Sequence, residues 1–379
     1  MISQRNIDAS LLPILLGFVL LMPTLAHAAG GDKKPKGDFL PVTGLAATVR
    51  RSDGGHGVMT VEAGIDTPDP VLLGYAEEVL PRLRDAYARV LQAYAGNLQA
   101  GTPPDADYLA RHGIASLRYD DRGTAKSTGN FVSSTSADFA ADAEAAVHFV
   151  KGIPKLASTI GILGHSEGGL IGPMVATRTR DVGFLVLLAG PGVSGDSLTL
   201  LQIVAQASAV GAPIDRVNDA LRVNRMLFEA VRGARDSTDA VRRLAAAERD
   251  MVAQLPPEKR DSASRVLAQS NARLLTPWMR FFLASNAPNT LRRVHVPVLA
   301  LDGSLDTQVP AKQDLAGIKA ALEAAGNRDY RVVELPGLNH LFQPATTGLA
   351  AEYVSIDQTI APQVLELITS WINQHFASR

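Results

Sequence analysis

The chain has 379 residues, no cysteine, and a net charge of −1 from 37 Lys and Arg against 38 Asp and Glu. Disulfides and cysteine-linked lipids are therefore excluded, and so even a charge balance offers no electrostatic footing for nucleic acid. With 20% charged residues and a mean hydropathy of +0.07, the composition is that of a globular chain long enough to bury a large core without covalent help.

Residues 1–28 contain Arg5, an apolar run from Leu11 to Leu25, and the small-x-small triplet Ala26-His27-Ala28. This is the layout of a cleaved export signal, and Pro13 and Pro23 bracket a run too short for a comfortable membrane span. Cleavage after Ala28 leaves 379 − 28 = 351 residues, exported to a periplasm or the exterior and without a membrane anchor. Residues 29–48 include GGDKKPKGDFLP (Gly30 to Pro41) and read as a flexible lead-in.

The remainder reads as an α/β core, 49–196 with 293–379, interrupted by an insertion over 197–292. Val71 to Tyr94 places Leu72, Ala76, Val79, Leu80, Leu83, Tyr87, Val90, Leu91 and Tyr94 on one stripe, which predicts a helix. From residue 105 onward short apolar runs alternate with amphipathic helices, the signature of a doubly wound, mostly parallel sheet. Strands are expected at Gly113–Tyr119, Ser158–Leu163, Val182–Leu188, Val296–Leu301 and Tyr330–Leu335, with helices at Ser136–Val150, Glu167–Thr177 and Ala361–Phe376. Val364, Leu365, Leu367, Ile368 and Trp371 give the last helix a face to cover the sheet.

The stretch between the third and fourth of these strands far exceeds what a crossover needs, so it reads as a helical cap over the carboxyl edge of the sheet. Its last apolar cluster, Leu274, Leu275, Trp278, Phe281 and Phe282, suits either an acyl pocket or a seam between cap and body.

Chemistry concentrates at the strand ends. Gly164-His165-Ser166-Glu167-Gly168 fits G-x-S-x-G and follows a strand directly, which is where a nucleophile elbow lifts a serine hydroxyl above a sheet. Gly164 and Gly168 are both expected to be needed there because a Cβ would crowd the turn. An activated serine needs a base and an acid that orients it. LDGSLDTQVP supplies Asp306, preferred to Asp302 because it lies beyond the Gly303 turn and can point back over the sheet. GLNHLF supplies His340; among the 8 His it alone gives the order Ser, Asp, His at successive strand ends. There is no H-E-x-x-H, no Walker-type loop and no G-x-G-x-x-G, so neither a metal nor a nucleotide cofactor is expected.

RYDDRGTAKSTG (Arg118 to Gly129), GHSEGGLIGPMVA (Gly164 to Ala176), LLAGPGVSGD, LALDGSLDTQVP and LPGLNHLFQ together resemble the α/β-hydrolase superfamily. Within it the chain is similar to the bacterial secreted esterases and serine-aminopeptidase-like hydrolases, over residues 105 to the C-terminus. The resemblance implies Ser166 as nucleophile, His340 as base, Asp306 as acid, the Glu167 backbone N–H as one oxyanion donor, a cap that shapes the substrate site, and no cofactor. It also implies an upstream glycine-rich loop carrying a second oxyanion N–H, which residues 51–104 do not show. Gly74 or Tyr75 is one candidate, while Gly54-Gly55-His56-Gly57 has the right residue types but lies too early.

The expected function is therefore an exported serine hydrolase acting on a small carboxylic ester through an acyl-enzyme. An aminopeptidase-type amide hydrolase, with Glu248 or Asp250 holding the substrate amine, is the enzymatic alternative. A non-catalytic α/β-hydrolase-fold binding protein is the other.

Overall fold

The computed structural model describes residues 39–51, 56–66, 99–100, 104–124, 127–153, 159–356 and 358–376. The expected export signal, the expected helix at 71–94, and Gly74 and Tyr75 lie outside these residues. The described chain falls into two compact units, one drawn from residues 130–350 and the other from 39–129 with 351–376.

The first unit is built on a parallel four-stranded sheet of β4 (Ile160–His165), β5 (Val182–Leu188), β6 (Val298–Gly303) and β7 (Tyr330–Leu335), in that spatial order. Register runs Leu163↔Val186 and Leu188↔Leu301, then Gly303↔Leu335. β5 and β6 read as unbroken apolar runs because they are the interior strands, covered on both faces; every residue of β6 is buried. Helix α2 (Ser136–Lys151) starts where the Asp138 carboxylate accepts from the Thr135 backbone N–H at 2.9 Å and from its hydroxyl at 2.7 Å. α2 packs on α3 (Gly168–Ala176), and α3 packs on β4 and β5.

Between β5 and β6 stand α4 (Gly195–Ala209), α5 (Ile214–Arg232), α6 (Ser237–Ala253), α7 (Pro257–Asn271), α8 (Pro277–Ala284) and α9 (Ala287–Leu291). They enclose a core of their own, including Val223, Leu227, Phe228, Leu244, Met251, Leu267 and Leu283. An insertion that buries its own apolar faces is a semi-independent body, which explains why so long a segment is compatible with a four-stranded sheet.

α10 (Ala311–Ala324) packs on β6 and β7 and crosses the loop after β5 at very close range. A Cβ on Gly192 would overlap the Asp314 carbonyl oxygen, and one on Gly317 would overlap the Gly192 carbonyl oxygen. Asp314 is fully buried at this crossing and accepts from the Gly192 N–H at 2.7 Å and the Val193 N–H at 3.3 Å.

In the second unit β1 (Phe39–Arg51) pairs antiparallel with β2 (His56–Asp66), from Phe39↔Asp66 to Arg50↔His56. A two-residue β3 (Gln99–Ala100) adds to β1 in parallel. Residues 39–48 are thus strand, correcting the expectation that 29–48 is wholly a flexible lead-in. The register pairs Val42 with Ala63, Leu45 with Val61 and Thr48 with Val58, shifting between Val42 and Leu45, and it is this cross-strand pairing that makes the segment a strand. His56 and Gly57 accordingly belong to a strand.

α1 (Pro104–Arg111) packs with α11 (Pro362–Phe376), where Asn373 Nδ2 donates to the His112 carbonyl at 3.3 Å. α11 buries Val364, Leu365, Ile368, Trp371 and Ile372. The expected strand at 113–119 does not form: these residues follow α1 without regular structure, and Leu117 and Tyr119 are nearly half exposed. A strand exists only through a partner, and among the described residues none pairs with 113–119.

Burial raises the Asp314 pKa from 3.8 to about 7. The folded chain therefore keeps a proton on this group that the unfolded chain releases near pH 4, so stability falls as pH rises from about 4 to 7 and stays low above that. Asp314→Asn removes this dependence while keeping an acceptor for Gly192. Its stability relative to the parent, measured by urea unfolding, should rise by roughly 2–3 kcal/mol between pH 5 and pH 8.

Candidate active site

β4 ends in His165, and the chain turns through Ser166 into α3. Ser166 has φ = +55°, a left-handed conformation that costs a non-glycine residue on the order of 1–2 kcal/mol. It is held there by its own N–H, which donates to the Leu188 carbonyl at the end of β5 at 2.8 Å, and by its carbonyl, which accepts from Gly169 N–H at 2.8 Å. A Cβ on Gly164 would overlap the Gly168 carbonyl, and one on Gly169 would press into the Gly190 backbone; at Gly168 the corresponding space is open. The steric demand thus falls on Gly164 and Gly169, which corrects the expectation that Gly168 is one of the two crowded glycines.

Asp306 and His340 come together. His340 Nδ1 lies 2.7 Å from Asp306 Oδ2, and both residues are buried. The carboxylate can only accept, so Nδ1 carries the proton and Nε2 is left as the basic nitrogen. Asp306 Oδ1 accepts from the N–H groups of Gln308 at 2.7 Å and Val309 at 2.8 Å, which fixes the carboxylate plane. Asp302, the other acid of this loop, is fully buried at the end of β6, with Oδ1 accepting from the Gly303 N–H at 2.7 Å. Burial, and then the nearby Asp306 charge, push its pKa well above the usual carboxylate range. Of the two acids in this loop, Asp306 is the one that touches the imidazole.

The loop carrying His340 is braced by its neighbour Asn339, which belongs to no catalytic motif. The Asn339 side-chain oxygen accepts from the N–H groups of Leu341 and Gln343, both at 3.0 Å, and its amide donates to Gln343 Oε1 at 3.0 Å. Asparagine's habit of bonding backbone two and four residues ahead was the available signal. This bracing holds Phe342 at φ = +59°. Acid and base loops also interlock: Leu305 N–H donates to the Leu338 carbonyl at 2.9 Å, and a Cβ on Gly303 would overlap that same carbonyl.

The elbow meets the base loop through His165, whose Nε2 lies 2.8 Å from the His340 carbonyl, with the two imidazoles 4.7 Å apart. A carbonyl can only accept, so Nε2 is the protonated nitrogen of His165. Part of His165 faces solvent, yet crowding by surrounding chain, then the charge of a protonated His340, lower its pKa to about 4. It is therefore a neutral donor across the physiological range. The turn bearing Ser166 and the loops bearing Asp306 and His340 thus share the carboxyl end of the sheet, as strand ends in this architecture dispose them.

The residue after Ser166 has a role that its place in the motif did not reveal. Glu167 Oε1 accepts from Ser136 Oγ at 2.6 Å and from Trp278 Nε1 at 2.7 Å, joining the elbow to α2 and to α8 of the insertion. Trp278 stacks on Phe282 with centroids 5.2 Å apart, and both pack against the sheet core. The cluster at 274–282 is therefore at least a seam between insertion and body. A second tie runs from Gln202 Nε2 to the Gln308 carbonyl at 2.6 Å. Of the acids suggested for holding an amine, Glu248 accepts from Asn271 at 2.8 Å within the insertion and Asp250 is exposed on α6. Among the described residues no cluster of three or more His, Cys, Asp or Glu is arranged to hold a metal, and no helix is long and apolar enough to cross a membrane.

The family model described as serine aminopeptidase, S33, matches residues 102–343. No curated protein matches. Among solved structures, the chain is similar to an esterase of Pyrococcus furiosus at 14% identity, covering 71% of this chain and 72% of that one with a TM-score of 0.39. It is similar to Est1E of Butyrivibrio proteoclasticus, solved with ferulic acid bound, at 16% identity, 72% and 82% coverage and a TM-score of 0.39. It is also similar to an α/β hydrolase of a Penicillium species at 16% identity, 74% and 86% coverage and a TM-score of 0.44.

The elbow sterics predict an asymmetry between its glycines. Gly164→Ala should lower thermal stability by the equivalent of roughly 2–4 kcal/mol, as overpacking against backbone does. Gly168→Ala should change it by less than about 1 kcal/mol. Differential scanning calorimetry of the two variants checks the order.

Proposed function

The chain belongs to the serine aminopeptidase S33 family of hydrolases, and from that premise we propose that it is an exported serine hydrolase cleaving small carboxylic esters. The observation that carries the reading is the 2.7 Å bond between Asp306 and His340, a buried histidine whose backbone carbonyl meets the imidazole of His165, the residue before the strained Ser166. Export rests on the layout of residues 1–28.

In the proposed cycle Ser166 Oγ attacks the ester carbonyl and gives its proton to His340 Nε2. The negative charge develops on the carbonyl oxygen, facing the Glu167 backbone N–H at the start of α3, where the helix N-terminus favours an anion. Collapse breaks the bond to the alcohol, which leaves with the proton from His340, and the acyl group stays on Ser166. Water then repeats the steps, His340 taking its proton and returning it to Ser166 as the acid departs. Asp306 holds the imidazole in the required tautomer throughout.

Esters are favoured over amides because neither Glu248 nor Asp250 is presented as an anchor for a substrate amine. The family description names an aminopeptidase, so amide hydrolysis is the second reading, and aminoacyl p-nitroanilides are its probe.

Fluorophosphonate labelling of the mature protein, with the adduct located by mass spectrometry, tests the assignment. Label is expected on Ser166 and absent from Ser166→Ala; a folded protein that takes no label would overturn the reading. Asp306→Asn should lower kcat on p-nitrophenyl butyrate by roughly 10⁴-fold, with a much smaller change in KM, because it forces the wrong imidazole tautomer.

A further inference from the structure

We infer that the Glu167 carboxylate is a positioning group that couples the helical insertion to the acyl-transfer site; this rests on the serine-hydrolase reading. Two donors from distant parts of the chain converge on one oxygen: the Ser136 hydroxyl at 2.6 Å and the Trp278 indole N–H at 2.7 Å. Ser136 is wholly buried at the first turn of α2. Trp278 lies in the first turn of α8, whose start is set by Pro277 and by the Thr276 hydroxyl accepting from the Met279 N–H. Neither donor is on a free-swinging loop, so the carboxylate is gripped between two helices.

The consequence lies in the backbone of the same residue. Glu167 carries the N–H that faces the developing oxyanion in the proposed cycle, and it has φ = −54° and ψ = −31° at the cap of α3. A backbone donor is effective only if its direction is already set when charge appears, since reorientation during the reaction costs part of the stabilisation. Ser166 ahead of it is in a strained conformation and Gly168 behind it has open space where a Cβ would be, so the peptide gains little restraint from its neighbours' side chains. The Ser166 carbonyl, which accepts from the Gly169 N–H at 2.8 Å, holds one side of this peptide, and the Glu167 side chain adds a second hold from α2 and α8. Trp278 meanwhile brings its ring, stacked on Phe282, to within a hydrogen bond of the residue that follows Ser166, which places this aromatic pair against the elbow.

A side chain that merely stapled the insertion to the body would affect stability alone. A positioning group affects turnover at saturating ester, and its role survives replacement by any side chain that still accepts from both donors. The test is steady-state hydrolysis of p-nitrophenyl acetate, butyrate and octanoate by the mature protein and by Glu167→Leu, Glu167→Gln and Trp278→Phe, each first checked for folding by circular dichroism and for fluorophosphonate labelling.

Glu167→Leu should lose 10- to 100-fold in kcat with KM within about threefold of the parent, as removal of a donor's preorganisation does. Glu167→Gln, which keeps an oxygen at the same position, should retain at least a third of the parental kcat. Trp278→Phe keeps the aromatic wall and removes one donor; it should lose severalfold in kcat with the same order of preference among the three esters. Should Glu167→Leu fail to fold, the comparison of Trp278→Phe with the parent carries the test.

A parent that labels and turns over, with Glu167→Leu or Trp278→Phe matching it in kcat, overturns this inference alone. So does a loss that Glu167→Gln shares in full. A parent that neither labels nor hydrolyses any ester overturns the serine-hydrolase reading, and this inference with it.

Discussion

Everything in the first unit is organised around a serine kept in a backbone conformation it does not favour. Ser166 at φ = +55° is held by the Gly169 N–H on its own carbonyl, together with the parallel ladder continuing one bond beyond the strand, from its N–H to the Leu188 carbonyl. That bond requires β4 and β5 in strict register, and β5 in turn is fixed by β6, whose Leu301 carbonyl takes the Ala189 N–H. The strain at one residue is thereby spread over three strands. The same requirement explains the small residues nearby. Gly164, Gly169 and Gly190 are places where backbone meets backbone, and no amount of repacking makes room for a side chain there.

Around that point the other loops are fastened to one another as well as to the sheet. The Asp306 loop bonds to the His340 loop through Leu305 and Leu338, the His340 loop to the elbow through His165, the elbow to the insertion through Glu167 and Trp278, and the insertion back to the Asp306 loop through Gln202. Each tie is a single hydrogen bond worth about 1 kcal/mol taken alone. Closed into a ring, they leave no member able to move without breaking its neighbour's bond, which is how loops reach the rigidity that chemistry on them needs.

Much of this was legible in the residues. VGFLVLL, an interior strand, and YRVVEL, at the edge of the sheet, have the observed boundaries because each is a short β-rich run closed by Gly, Pro or Asp. The strand before the elbow begins at Ile160 and runs through His165, two residues later than its composition suggests, because pairing with β5 rather than hydrophobicity sets its ends. At 113–119 the same logic fails outright, since a β-rich heptapeptide is a strand only if something lies beside it. Asp306 and His340 could be located from motif order because each follows a strand directly. The grip on Glu167 could not: its donors lie 31 and 111 residues away, and nothing local to Ser136 or Trp278 announces a shared acceptor. Long-range side-chain pairs carry no periodicity, and periodicity is what a single sequence offers.

The chain has two tryptophans, and the fold assigns one to each unit. Trp278 donates its indole proton to a carboxylate at the seam of the insertion, while Trp371 is 3% exposed in α11 with its ring 4.5 Å from that of His375. Indole emission responds to the polarity and hydrogen bonding around the ring, so the native spectrum is the sum of two local signals from two differently built environments. Replacing Trp371 by Phe leaves an optical reporter seated directly on the elbow, able to follow the approach of a ligand or the loosening of the insertion without any added label. The molecule in this sense carries its own fluorophore at the place where its chemistry is expected to be decided.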